Sequence, residues 1–66
     1  KLMVGYADAK KRMEDLTKTC YERHKAVCEQ WENGVPTRSW WDKDGVLCIE
    51  YENGKWWHYN DRGEWY

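Results

Sequence analysis

Residues 37–66 read TRSWWDKDGVLCIEYENGKWWHYNDRGEWY, and this stretch decides the fold because its glycines recur every nine residues. Gly45, Gly54 and Gly63 each close a short polar turn that contains Asp or Asn. Between the turns lie runs of Trp, Tyr, Val, Leu and Ile, the residue types that suit a pleated surface. The pattern predicts a three-stranded antiparallel β-meander, with a short fourth strand or tail at residues 64–66.

The turn chemistry also predicts how the strands pair. An Asp or Asn followed closely by Gly is typical of a three-residue hairpin loop, in which a type I turn precedes a left-handed glycine. Such loops pair Asp42 with Val46, Tyr51 with Lys55 and Asn60 with Glu64. If the loops had two residues instead, every pairing would shift by one and the partners across each hairpin would change.

Counting outward from these pairs separates the two faces of the sheet. The first face is apolar and is the predicted core, with Trp41, Leu47, Ile49, Tyr51, Trp57, Tyr59 and Trp65. The second face carries Arg38, Trp40, Val46, Cys48, Glu50, Trp56, His58 and Tyr66. Within the second face, Trp40, Cys48, His58 and Tyr66 are predicted to form one row across the strands.

A long amphipathic helix is predicted before the meander, over about residues 8–33. Its apolar stripe has steps of three and four residues, as a helix requires: Met3, Tyr6, Ala9, Met13, Leu16, Cys20, His24, Val27 and Trp31. Asp8 is the best N-cap candidate, although the stripe continues back towards Leu2. Asn33-Gly34 followed by Pro36 predicts the end of the helix. The fold class is therefore α+β, with residues 1–66 forming one domain.

The helix and the sheet differ in length, which predicts self-association. A helix of about 25 residues is about 37 Å long, whereas a six-residue strand reaches about 20 Å. If residues 20–31 pack on the sheet, the N-terminal half of the helix extends beyond it. We expect Met3, Tyr6 and Met13 on this overhang to meet a second copy of the chain in a homodimer, or a larger target protein.

Composition narrows the class of protein. Six Trp and five Tyr supply the apolar area that a 66-residue chain needs for a core, and the formal charge of −1 gives no overall field to hold a polyanion. Three cysteines without close spacing indicate reduced thiols, and no apolar run approaches the roughly 18 residues of a membrane span. We expect a cytoplasmic protein with no membrane contact.

The second face of the sheet is the predicted functional surface. One helix covers only one side of a small sheet, so Trp40, Trp56, His58 and Tyr66 are expected to face water, with Arg38 and Glu50 opposite one another as a polar rim. Clustered exposed aromatic residues are typical of protein interfaces. The structural alternative is that these rings stack on one another and extend the core.

Metal binding is a second hypothesis for the Cys and His residues. Cys20, His24 and Cys28 recur every four residues on the helix, and Cys48 faces His58 across the sheet. A tetrahedral zinc site needs its ligands within about 2.0–2.3 Å of one ion, but Cys20 and Cys28 lie about 12 Å apart along the helix axis. The favoured interpretation is buried cysteines beside a hydrogen-bonded histidine, with no cofactor.

Nucleic-acid binding is the main alternative function, because exposed Trp and Arg on a sheet can stack on bases. Six carboxylates in the predicted sheet and its turns disfavour nucleic-acid binding, because they would repel the phosphates. Residues 54–63 are similar over about ten residues to the aromatic-glycine repeats of bacterial wall-binding proteins, which would imply stacking on sugar rings. Those arrays contain several repeats and no leading 25-residue helix, so the chain is not assigned to that family.

The sequence carries no signature of catalysis. It has no phosphate-binding glycine loop and no nucleophile motif, and Cys48 with His58 lacks a third orienting group. The favoured hypothesis is a non-enzymatic protein-interaction module, similar in size to small inhibitors or antitoxins of bacteria and phages. It would act by occluding a partner protein.

Overall fold

A computed structural model describes the backbone of residues 2–66 and the side chains of residues 8–66. The chain forms one helix, α1 (Leu2–Val27), followed by three strands, β1 (Pro36–Trp41), β2 (Leu47–Tyr51) and β3 (Trp56–Tyr59). The strands form one antiparallel sheet in the order β1-β2-β3. The predicted α+β fold, a long helix packed on a three-stranded meander, is confirmed. Among the described residues, no helix is both long and apolar enough to cross a membrane.

The three turns have the predicted three-residue form. The amide of Asp42 donates to the Val46 carbonyl at 2.9 Å, and the Tyr51 and Asn60 amides donate in the same way to Lys55 and Glu64. The glycines that close the turns have φ of 80°, 87° and 82°, in the left-handed region that favours glycine. The predicted pairings are confirmed, and with them the assignment of residues to the two faces.

The third hairpin is shorter than a full strand pair. Tyr59 and Trp65 form an isolated bridge, and the backbones of His58 and Tyr66 exchange two hydrogen bonds of 2.9 and 3.1 Å. The C-terminal residues thus extend the sheet by one bridge and place Tyr66 beside β3.

The core lies between α1 and the first face of the sheet. Leu47, Ile49, Tyr51 and Tyr59 are buried there, with six partly buried neighbours packed against them: Met13, Cys20, Tyr21, Trp31, Trp57 and Trp65. Trp41 departs from the prediction, because it is 41% exposed at the end of β1. The helix covers the middle of the face and leaves this corner open.

The helix ends at Val27, six residues before the predicted end at Asn33. Residues 28–35 instead turn back onto the sheet, where Glu52 and Asn53 donate backbone hydrogen bonds to the carbonyls of Val35 and Asn33. Trp31 reaches the core from this loop, and its indole Nε1 donates to the Gly34 carbonyl at 2.7 Å. The apolar stripe predicts that residues 28–33 continue the helix. In the structure, contacts with the sheet take the place of the helical hydrogen bonds of this segment.

The helix begins at Leu2, so Gly5 and Asp8 lie within it and Asp8 is not the N-cap. Its 26 residues correspond to a length of about 39 Å, and the longest dimension of the molecule is 44 Å. Among the described side chains, residues 8–12 are exposed, as the predicted overhang requires. Met13 is not part of it, because this side chain packs against the core of its own chain. The side chains of Met3 and Tyr6, the other residues of the predicted dimer surface, lie outside the described part of the chain.

Candidate functional site

Four aromatic rings form a row of neighbours across the second face of the sheet. We call this row the aromatic ladder: Trp40, Trp56, His58 and Tyr66. Pairing of Trp40 with Cys48, and of Cys48 with His58, sets the row, and the C-terminal bridge adds Tyr66 to it. Trp56 stands two residues before His58 on the same face of β3. The ladder is the surface that the sequence predicted as the binding site.

The rings of the ladder contact one another in order. Trp40 and Trp56 have ring centroids 5.4 Å apart, Trp56 and His58 are 5.1 Å apart, and His58 and Tyr66 stack at 4.8 Å with planes inclined by only 5°. The Arg38 guanidinium lies 4.5 Å from the Trp40 ring centroid, within cation–π distance. The ladder is therefore a continuous surface whose rings hold one another in place.

Exposure varies along the ladder. Tyr66 is 61% exposed and Trp56 is 49% exposed, whereas Trp40 and His58 are half-buried. Cys48 belongs to the same predicted row but is 0% exposed. The expectation that the ladder faces water thus holds for Trp56 and Tyr66 and only in part for Trp40 and His58. The structural alternative, mutual stacking, also contributes to the arrangement.

Arg38 and Glu50 pair across β1 and β2 as predicted, with 3.2 Å between Arg38 Nε and Glu50 Oε1. The Arg38 side chain is largely exposed, so this ion pair contributes at most about 1 kcal/mol to stability. Its structural effect is to hold the guanidinium over Trp40. Both residues lie at the rim of the ladder.

Next to His58 lies a group of polar atoms around Asp42, which the sequence analysis did not predict as part of the site. We call this group the polar corner. Asp42 Oδ1 accepts hydrogen bonds from the backbone amides of Asp44 and Val46, at 2.8 and 2.9 Å, while Oδ2 lies 3.6 Å from His58 Nε2. The Val46 amide above all, helped by the Asp44 amide and by His58, holds the pKa of Asp42 below its ordinary value. The carboxylate is fixed in orientation and ionised.

The thiol of Cys48 completes this corner. The ligand atoms of Asp42, Cys48 and His58 all lie within 4.8 Å of one another. Burial, and secondarily the charge of Asp42, raise the pKa of the Cys48 thiol, whose Sγ lies 3.8 Å from the Val46 carbonyl. Cys48 and His58 were among the metal candidates of the sequence, but Asp42 was not, because it reads as a turn residue. Its even spacing from Trp40 on the same face is the signal that could have found it.

The remaining metal candidates lie on the other side of the sheet. His24 is buried on α1, and its Nδ1 is hydrogen-bonded with the Tyr59 hydroxyl at 2.8 Å. Its ring lies among those of Trp31, Trp57, Tyr59 and Trp65, at centroid distances of 4.3–5.7 Å. Burial lowers the pKa of His24, which favours the neutral ring. His24 is therefore a core histidine, as the favoured interpretation proposed.

The two helix-side cysteines do not join His24 in a cluster with the sheet residues. Cys20 packs against the core, where burial raises the pKa of its thiol against the opposing charge of Arg23. Cys28 follows the end of α1 as a free, partly buried thiol. The structure thus separates Cys20, His24 and Cys28 from Cys48 and His58.

A groove that the sequence did not predict runs beside the exposed corner of the first face. It has a volume of about 330 Å³ and is lined by residues of α1, the first turn and the third turn, among them Leu16, Trp41 and Asp61. Two carboxylates, those of Asp44 and Asp61, and the thiol of Cys20 also line this groove.

Comparison with known proteins identifies no relative of this chain. No family model, no curated protein and no solved structure matches it.

Proposed function

We propose that this chain is a non-enzymatic protein-interaction module that binds a partner protein through the aromatic ladder and occludes the surface it covers. The observation that carries the proposal is the exposure of Trp56 and Tyr66 on a row of rings that is otherwise well packed. Large aromatic side chains left half in water on a small domain are the residues that dominate the binding energy of protein interfaces.

The packing of the ladder suits it to binding. Trp56 contacts a ring on each side, Trp40 and His58, and Tyr66 stacks flat on His58. These contacts already restrict the side chains of the ladder. Binding a partner would therefore cost little further side-chain conformational entropy. Immobilising a flexible side chain on binding costs about 0.5–1.5 kcal/mol, so a preformed surface retains more of the energy gained by burying the rings.

Charge around the ladder favours a protein over a nucleic acid. Around the ladder lie the cation Arg38 and the carboxylates Asp42 and Glu50, and Arg38 is already paired with Glu50. A polyanion would meet more negative than positive charge there, whereas nucleic-acid binding depends on neutralising phosphates. The surface fits a partner that presents an apolar patch with a Lys or Arg beside it.

The proposal is tested by affinity capture from a lysate of the source organism, with variants of the ladder. Trp56→Ala and Tyr66→Ala remove exposed rings, and Trp41→Ala is the matched control because it removes a similarly exposed Trp from the other face. We expect a captured protein to be lost at least tenfold from both ladder variants and kept by Trp41→Ala, since hot-spot truncations cost about 2 kcal/mol or more. Circular dichroism checks that each variant is folded.

Two results would contradict the proposal. Capture that survives both ladder variants, or that is lost only with Trp41→Ala, would place the interface elsewhere. Capture that disappears after nuclease treatment, together with quenching of Trp fluorescence by short DNA or RNA at low salt, would favour the nucleic-acid alternative.

A further inference from the structure

We propose that Asp42, Cys48 and His58 form a binding site for a borderline divalent cation, Zn²⁺ above all, at the corner of the second face. Asp42 directly follows β1, and Cys48 and His58 lie on β2 and β3. Their ligand atoms lie within 4.8 Å of one another, and they supply one oxygen, one sulfur and one nitrogen. This inference is independent of the proposed protein partner.

The distances are close to those that an ion would impose. Zinc lies about 2.0–2.2 Å from nitrogen and oxygen ligands and about 2.3 Å from sulfur. The 3.6 Å between Asp42 Oδ2 and His58 Nε2 already fits two such bonds at an open angle. The three ligand atoms lie up to 4.8 Å apart, so the sulfur must approach the other two by up to about 1 Å for all three bonds to form.

Neighbouring groups hold the side chains of Asp42 and His58 in fixed orientations, as is usual for the ligands of a metal site. The two backbone amides on Asp42 Oδ1 leave Oδ2 turned towards His58, and the Tyr66 and Trp56 rings fix the plane of the imidazole. Outer contacts of this kind hold ligating residues in place in metal sites generally. The Asp42 and His58 side chains are 22% and 27% exposed, so an ion can reach them from solvent.

The donor set selects the class of ion. A thiolate with an imidazole and a carboxylate suits Zn²⁺ or Co²⁺, whereas Mg²⁺ and Ca²⁺ prefer oxygen ligands alone. One carboxylate and one thiolate also balance the charge of a divalent ion, which offsets the burial of the sulfur. Three protein ligands leave the fourth position of a tetrahedral ion to water.

The alternative is that Asp42 and His58 form only an ion pair over a buried cysteine. Titration with Co²⁺ distinguishes the two, because a Co²⁺–thiolate bond gives an intense ultraviolet charge-transfer band that an ion pair cannot produce. We expect one Co²⁺ per chain with this band, displacement of Co²⁺ by Zn²⁺ and a higher melting temperature with Zn²⁺.

The variants assign the ligands. Asp42→Asn keeps an oxygen for the turn amides but removes the charge, and with Cys48→Ala and His58→Gln it should weaken Co²⁺ binding at least tenfold. Cys48→Ala should also abolish the thiolate band. The double variant Cys20→Ala/Cys28→Ala is the matched control and should keep both band and affinity. Circular dichroism of each variant without metal separates loss of a ligand from loss of the fold.

The proposal is overturned if the folded wild-type chain gives no thiolate band with Co²⁺. It is also overturned if the band survives Cys48→Ala and disappears in the Cys20→Ala/Cys28→Ala control, because the metal would then bind on the helix side. If Asp42→Asn and His58→Gln stay folded and bind Co²⁺ as tightly as the wild type, the site does not have the proposed ligands.

Discussion

At the scale of single residues, the most unusual group is the buried chain of polar atoms in an otherwise aromatic core. The Tyr59 hydroxyl lies 2.8 Å from His24 Nδ1 and 2.7 Å from the Tyr51 hydroxyl. Burial raises the pKa of Tyr51 to about 12 and raises that of Tyr59 still further, so both hydroxyls remain neutral. His24, Tyr51 and Tyr59 thus depend on one another for hydrogen bonding in the core.

His24 makes the stability of the fold depend on pH. Burial lowers its pKa in the folded state below the ordinary value of 6.5, so the unfolded chain binds the proton more readily. The stabilisation is present above pH 6.5 and is lost as the pH falls from there through the lower folded-state pKa. We expect the free energy of unfolding, measured by denaturant titration from pH 8 to pH 5, to decrease with a slope of at most about 1.4 kcal/mol per pH unit from this group.

The control for this pH dependence is His24→Gln, which can keep a hydrogen bond to Tyr59 but carries no titrating group. This variant should lose the part of the slope that falls between pH 6.5 and pH 5. An unchanged slope in His24→Gln would show that another group is responsible.

The Tyr59 hydroxyl is expected to contribute more to stability than the Tyr51 hydroxyl. Tyr59→Phe leaves both His24 Nδ1 and the Tyr51 hydroxyl without this partner, and an unsatisfied buried polar group costs about 1–3 kcal/mol. In Tyr51→Phe, Tyr59 still has His24. Urea unfolding of the two variants checks the order, and equal losses of stability would contradict it.

At the scale of elements, the turns could be predicted from the sequence and the end of the helix could not. The turns depend on local chemistry: a glycine with positive φ, preceded by a polar side chain that accepts from the backbone, as Asp42 and Asn60 do. The helix end depends on contacts between residues distant in sequence, such as Asn33 with Asn53. A regular apolar stripe from Met3 to Trp31 contains no sign of them.

Glycine substitutions test this difference between turn and loop. Gly45→Ala places its new Cβ in open space and should cost about 1–2 kcal/mol, the penalty of a left-handed backbone alone. Gly34→Ala has the same φ penalty, and its Cβ would also meet the Glu52 side chain, including Cβ at 2.8 Å. We expect Gly34→Ala to cost about 1–3 kcal/mol more, by thermal or urea unfolding. The account is contradicted if Gly45→Ala is the more destabilised variant.

The candidate site could be predicted only in part, because its register depends on local turn chemistry but its exposure depends on long-range contacts. The register placed Trp40, Trp56, His58 and Tyr66 on one face, because alternation along a strand determines the face of every side chain. Alternation does not determine exposure, so the exposure of Trp41 was missed, whereas the burial of Cys48 agrees with the favoured interpretation of the cysteines. Exposure follows from which neighbours cover a position, and this depends on the path of the helix and the stacking of the rings.

At the scale of the whole molecule, α1 divides into a packed half and a half that extends beyond the sheet. Among the described side chains, contacts with the core begin at Met13 and continue to Tyr21 and His24, while residues 8–12 are exposed. The segment 8–12 is therefore available to a second copy of the chain, although Met13 itself is committed to the core. Light scattering at high concentration tests the homodimer hypothesis, and a monomer of 8.1 kDa would exclude it.

Proline substitutions at two exposed positions test whether the halves are energetically separate. Lys18→Pro breaks the helix within the packed half and should cost about 3 kcal/mol or more. Ala9→Pro lies before the first core contact, so we expect it to lower helix content by circular dichroism with little change in the unfolding midpoint. Equal shifts of the midpoint would show that the N-terminal half is coupled to the core.

We propose that the partner protein binds the ladder and not another part of the surface. The most direct measurement replaces Trp56 with a photoreactive aromatic residue, and Trp41 with the same residue as the control, before irradiation in a lysate. We expect a specific cross-linked protein from position 56 and none from position 41. Cross-linking from position 41 alone, or to the same extent from both positions, would contradict the claim.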